Sequence, residues 1–113
     1  MNWIALTSLD QLEEMTTISK ENPVLIFKHS TRCSTSRITF DRLHRNHKPG
    51  ELEGVRKYFL DLISYRDVST AIAQKFEVVH ESPQAILIKN GKAVYTASHF
   101  EIDYSSIKEA SEA

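Results

Sequence analysis

"QAILIKNGKAVYTA", residues 84–97, carries the decisive local signal for the fold. Two runs rich in apolar residues flank Asn90-Gly91, the pair favoured where a two-residue hairpin turn needs two positive φ angles in succession. The pattern predicts paired strands over 84–89 and 92–97. Pro83 stands directly before the first of them, a position where proline removes no ladder hydrogen bond. A hairpin this short needs a larger sheet to join. Upstream, "VLIFKH" (Val24–His29) is continuous, β-branched at its start, and reads as a strand buried on both faces. "KYFLDLI" (57–63) is another strand candidate, and "NWIAL" (2–6) a weaker one.

Helical spacing fills the intervals. Leu9, Leu12, Met15 and Ile18 recur at helical period behind a Ser8/Gln11 capping box, and Asn22-Pro23 ends that helix. Ile38, Phe40 and Leu43 predict a second helix running to about His47. Ser64 with Asp67 caps a third that carries Val68, Ala71, Ile72 and Phe76. Asp103 caps a last one, with Ile102 and Ile107 in hydrophobic-staple positions. The order is βαβαβαββα. Alternation gives an α/β fold with a parallel portion, and the hairpin adds an antiparallel edge to a mixed central sheet flanked by helices. Without repeats or linkers, residues 1–113 read as one domain.

The bulk numbers remove several function classes. Fourteen basic residues face fifteen acidic ones, so no electrostatic case exists for a nucleic-acid or anionic-membrane partner. No apolar stretch approaches the roughly 18 residues that span a bilayer. The N-terminus lacks the basic and apolar regions of a secretory signal. One cysteine cannot build an internal disulfide framework, which makes a reducing, cytoplasmic compartment the expectation. His44 and His47 have no cysteine or carboxylate pair beside them and read as solvated surface, so no metal site is expected.

That one cysteine, Cys33, lies in "HSTRCSTSR" (29–37), four residues beyond a buried strand and at the opening of a helix. A free cysteine usually serves as a small hydrophobe. This one has Ser30, Thr31, Ser34, Thr35 and Ser36 around it, with Arg32, Arg37 and His29 near. Ligands of open α/β sheets bind at the carboxyl ends of strands. The first N–H groups of a helix lack helical partners and carry the positive end of its dipole. A thiolate is favoured there, and a stabilised thiolate is also a good leaving group in disulfide exchange. Ser36 occupies the place of the second cysteine in a redox C-x-x-C. It cannot resolve a mixed disulfide, but it can donate a proton to the Cys33 thiolate.

The strand order, the cysteine at the start of helix two and the proline before a strand–Asn-Gly–strand hairpin together resemble the thioredoxin fold. Within it, "FKHSTRCSTS", "HESPQAILIKNG" and, more weakly, "ASHFEI" resemble the monothiol bacilliredoxins. The resemblance implies a thiol-disulfide oxidoreductase that removes bacillithiol from protein mixed disulfides. Cys33 is then the nucleophile. Ser34, Thr35, Ser36, Arg32, Arg37 and His29 support its thiolate. Ser82 offers its backbone beside a cis Pro83 as a ledge for an extended substrate. It also brings His80 and His99 toward the cysteine if their loops converge. No cofactor is tightly bound; bacillithiol or another low-molecular-weight thiol is the co-substrate. Bacillithiolated proteins and a partner redoxin or reductase complete the cycle. Some members have proline after the cysteine; Ser34 here leaves that N–H free to donate. Unlike glutaredoxins, the chain has no paired glycines after Val94. The cysteine loop is also similar to that of thioredoxin-fold arsenate reductases, where arginines bind the oxyanion. The chain lacks room for their helical insertion and has Ser82 where they tend to have arginine. Arsenate reduction is the alternative, and a non-enzymatic thiol sensor or binding module the third reading.

Overall fold

The computed structural model describes residues 1–113. Its elements are β1 (Ile4–Ala5), α1 (Asp10–Ile18), β2 (Val24–His29), α2 (Ser34–Asn46), β3 (Arg56–Asp61), α3 (Arg66–Lys75), β4 (Gln84–Lys89), β5 (Lys92–Ser98) and α4 (Tyr104–Glu112). A 3-10 turn over His99–Glu101, which no sequence signal announced, separates the last two. The strands form one mixed sheet in the order β1-β3-β2-β4-β5. β1, β3 and β2 are parallel; β4 and β5 run antiparallel to them.

The hairpin is as expected. Asn90 and Gly91 take φ of 52° and 74°, which closes the tight turn between Lys89 and Lys92. A bulge between Leu87 and Ile88 shifts the register against β5. β2 lies at the centre of the sheet, hydrogen-bonded on both sides, and all six of its residues are buried. Its alternation sorts them by face. Val24 and Ile26 join Leu12, Met15, Val68 and Ile72 under α1 and α3. Leu25 and Phe27 join Leu43, Ile102 and Ile107 under α2 and α4. The parity continues to the last two positions, so Lys28 enters the first layer and His29 the second. Lys28 is wholly buried.

Two helix starts differ from expectation. At α1 the Gln11 carboxamide oxygen accepts the Ser8 N–H at 3.1 Å and the Thr7 N–H at 2.7 Å, so half of the capping box forms. The other half does not, because the Ser8 hydroxyl also turns to that oxygen and the N-cap shifts to Leu9. At α3 the Ser64 N–H and hydroxyl go to the Asp61 carboxylate, which closes the turn leaving β3 and starts the helix after Tyr65. At α4 the Asp103 carboxylate accepts the Ser106 N–H at 3.0 Å, and the staple residues Ile102 and Ile107 are both buried. Asp103→Ala is therefore expected to lower the unfolding free energy by about 1 kcal/mol, read as a reduced urea midpoint at constant slope.

Candidate functional site

β2 and β4 are antiparallel neighbours, with Lys28 opposite Gln84. The residues that follow β2 and those that precede β4 therefore emerge side by side at one end of the sheet. The first group is the cysteine loop. The second is Ser82-Pro83, joined by a cis peptide bond.

Cys33 is the N-cap of α2, with extended backbone (φ −119°, ψ 114°) and no side-chain capping bond. Its own N–H donates to Ser30 O and its carbonyl accepts from the Ser36 N–H. The thiol is half-buried, at the side of an open depression of about 370 Å³ lined also by Arg32, Ser34 and Arg37. Ser34 and Thr35 are the first two helical residues, so their N–H groups have no partner within the helix. No acidic residue lies in the first turn to neutralise that end. Among the expected supports, Ser34 and Thr35 thus bring backbone donors and a positive helix end to the thiol. Arg32 is exposed at the depression. Arg37 also lines it, but its Nε donates to Asp41 one turn later at 3.3 Å, both side chains open to water.

Ser36 and His29 act differently from the sequence reading. Ser36 is fully buried. Its Oγ accepts the Ser30 N–H at 3.1 Å and lies 2.7 Å from His29 Nδ1. The hydroxyl keeps a second lone pair and its proton, so it serves Nδ1 as donor or acceptor according to the His29 tautomer. The Ser36 hydroxyl makes no hydrogen bond to the Cys33 thiol; it is engaged by Ser30 and His29 instead. The His29 ring packs on Phe59 at 5.1 Å and Phe40 at 6.3 Å. Burial holds its pKa below the ordinary histidine value, with Arg37 adding to the lowering and Asp61 and Asp41 opposing it. A neutral His29 adds no positive charge to the loop. Ser36 and His29 instead fix the path of the chain between β2 and α2, and so the place of Cys33. Ser36→Ala would strand the Ser30 N–H and Nδ1. A loss of about 1–2 kcal/mol in stability is expected, with thiol exchange slowed less than about tenfold because the helix N–H groups remain. Denaturant melts and initial rates on the same sample check both.

Behind the ledge, Pro83 is buried and its carbonyl accepts the His99 N–H at 3.0 Å. That bond brings the 3-10 turn against the ledge, and Arg42 of α2 holds the same turn by donating to the carbonyls of Phe100 and Ile102. The Ser82 hydroxyl is buried without a partner. Of the two histidines near the ledge, His99 reaches it through its backbone, while the His80 side chain turns to Lys28, whose Nζ lies 3.2 Å from His80 Nδ1. His44 and His47 are structural rather than solvated. His44 links Trp3 Nε1 to Phe40 O, and His47 bonds Glu51 O.

Fold and site together define a thioredoxin-fold redox protein with one thiol at the start of a helix. The chain belongs to the monothiol bacilliredoxin BrxC family, whose model matches residues 4–107. It is similar at 35% identity to a thioredoxin-fold protein described as an oxidoreductase, over 95% of this chain and 91% of that one, with a TM-score of 0.77. Thioredoxins of Malassezia sympodialis (21% identity, 98% and 89% coverage, TM-score 0.72) and Fasciola hepatica (18%, 96% and 95%, 0.69) share the fold. A thiol redox function follows from this membership. No helix is long and apolar enough to cross a membrane.

Proposed function

We propose that this chain removes bacillithiol from protein mixed disulfides by a one-cysteine exchange in the cytoplasm. The observation that carries the reading is the pairing of a half-buried, helix-capping Cys33 with a Ser36 that is not a thiol and whose hydroxyl is engaged beneath. No internal resolving step exists, so the second thiol must come from outside. The Cys33 thiolate attacks the bacillithiol sulfur of a protein–S–S–bacillithiol disulfide. That disulfide breaks, the protein leaves as a thiolate that takes up a proton, and a Cys33–S–S–bacillithiol bond forms. The thiolate of a second bacillithiol then attacks the bacillithiol sulfur of this adduct. Cys33 is released as thiolate and the two small thiols leave joined as a disulfide, which a separate reductase would reduce. A partner redoxin in place of the second bacillithiol gives the same balance. Selecting the outer sulfur requires the disulfide to be held in one orientation, and in this reading the Ser82 backbone does so by pairing with an extended segment. The Arg37–Asp41 ion pair leaves the loop with less free positive charge than an oxyanion site would use.

A model protein carrying one bacillithiolated cysteine tests the reading. Mixing it with the reduced chain should transfer the bacillithiol mass to Cys33, and added free bacillithiol should clear it. A Cys33 that never acquires the adduct while the thiol is alkylatable would overturn the assignment, and turnover with arsenate would replace it.

A further inference from the structure

Lys28 has no part in the exchange just described. It sits on the face of the sheet opposite α2, beneath α1 and α3, and its side chain is fully buried. Its one polar partner in the chain is His80 Nδ1 at 3.2 Å, 52 residues away. His80 lies two residues before Ser82, in the segment that delivers the ledge. Ser69 of α3, also buried, points its hydroxyl to the same nitrogen at 3.4 Å. Gln84 stands directly across from Lys28 in the β2–β4 ladder. Its carboxamide donates to Val79 O at 3.0 Å and accepts the Glu81 N–H at 3.4 Å. Side chains from β2, α3 and β4 thus grip residues 79–81 from the hidden side. Of these only Lys28 bears a charge. Nothing in strand packing requires it, since Val24 and Ile26 fill the same face of β2.

We propose that Lys28 is a positioning residue that acts through His80 to hold the Ser82-Pro83 ledge in the place where a disulfide is received. This rests on the exchange reading above for its substrate, not for its geometry.

The protonation states suit the role. Burial brings the Lys28 ammonium down to about 8. Burial and the adjacent lysine keep His80 below the ordinary histidine value, with Glu81 the opposing influence. The groups facing the pair are thus Glu81 on the same segment, the uncharged Ser69 hydroxyl of α3 and the uncharged Gln84 amide of β4. Near neutral pH the ammonium donates to a neutral imidazole, a charge-assisted bond stronger than its neutral counterpart. As pH rises through about 8 the lysine becomes an amine and the grip weakens.

The test compares two reactions of Cys33 in the wild type, Lys28→Met and His80→Gln. Alkylation by iodoacetamide reads only the thiolate. Exchange with the bacillithiolated model protein reads thiolate and ledge together. The ratio of exchange to alkylation should fall about tenfold in Lys28→Met, a size expected of a misplaced positioning group. His80→Gln, which keeps an acceptor, should stay within about threefold of wild type. In the wild type the ratio should decline through about pH 8; in Lys28→Met it should be flat. Hydrogen exchange read by mass spectrometry on the free proteins supplies a measure without substrate: residues 79–82 should exchange about tenfold faster in Lys28→Met, while no other segment speeds up. Unchanged ratios overturn the positioning role, and unchanged exchange overturns the anchoring. A wild type inert toward the mixed disulfide overturns the substrate reading instead, and hydrogen exchange then decides the anchoring alone.

Discussion

Cys33→Ala is expected to reduce bacillithiol removal to the uncatalysed rate while leaving the fold intact. No other thiol exists in the chain to take over, and the nearest side chain at the resolving position is a buried serine hydroxyl. Folding should be indifferent because the thiol is half-buried and makes no capping bond. Its loss therefore creates no sealed cavity and no stranded donor, and stability should move by no more than about 0.5 kcal/mol. Cys33→Ser sharpens the comparison. Serine is among the preferred N-cap residues, and its hydroxyl could accept an N–H of the first turn. That variant should be more stable by about 0.5–1 kcal/mol and equally inactive. Stability and activity thus move in opposite directions at one position. Initial rates with the bacillithiolated protein, beside thermal melts, decide it. Transfer that persists in Cys33→Ala would mean another group performs the exchange.

Much of the architecture was legible because it rests on short-range chemistry. Asn90-Gly91 announced a turn that requires two positive φ angles, and both residues adopt them. Asp103 announced an N-cap, and its carboxylate takes the Ser106 N–H. The α1 and α3 starts were less legible because local acceptors compete. Ser64 had a nearer carboxylate in Asp61 than any helix N–H could match, and the boundary moved. At the site, Cys33 was readable from polar neighbours after an apolar strand. The roles of Ser36 and His29 were not, because their side chains partner each other rather than Cys33. They are seven residues apart, the span that a strand end, a tight loop and one helical turn fold back on. That return geometry was available in principle. The Lys28–His80 pair was not. A lysine near the end of an apolar run reads as a strand boundary, and its partner is set by how a distant loop crosses the sheet. Likewise, nothing near Arg42 foretells that it will hold carbonyls 58 and 60 residues away.

Lys28→Met is expected to make the protein more stable near neutral pH even as it weakens exchange. The pKa of Lys28 falls from 10.5 to about 8 because burial strips water from the charge. A lysine depressed on folding binds its proton less readily in the native state than in the unfolded one, so protonation opposes folding. That cost is present in full below about pH 8 and fades as pH climbs toward 10.5. A shift of this size is worth about 3 kcal/mol at pH 7. Methionine has nearly the volume and flexibility of the lysine stem and carries no charge to desolvate, so it should recover most of that sum. It forfeits the charge-assisted bond to His80, about 2 kcal/mol. The net gain should be about 1 kcal/mol at pH 7, shrinking above pH 8 and gone by about pH 9. Denaturant melts of both proteins across pH 6–10 would show it as two curves that converge. A variant less stable than wild type at pH 7 would mean that the buried ammonium is better compensated than its single His80 contact allows. For a domain whose whole stability is of order 5–15 kcal/mol, retaining a charge at this cost is a substantial expense. Its counterpart in the proposed mechanism is the ledge: the chain gives up stability beneath α3 to hold the segment proposed to receive the disulfide.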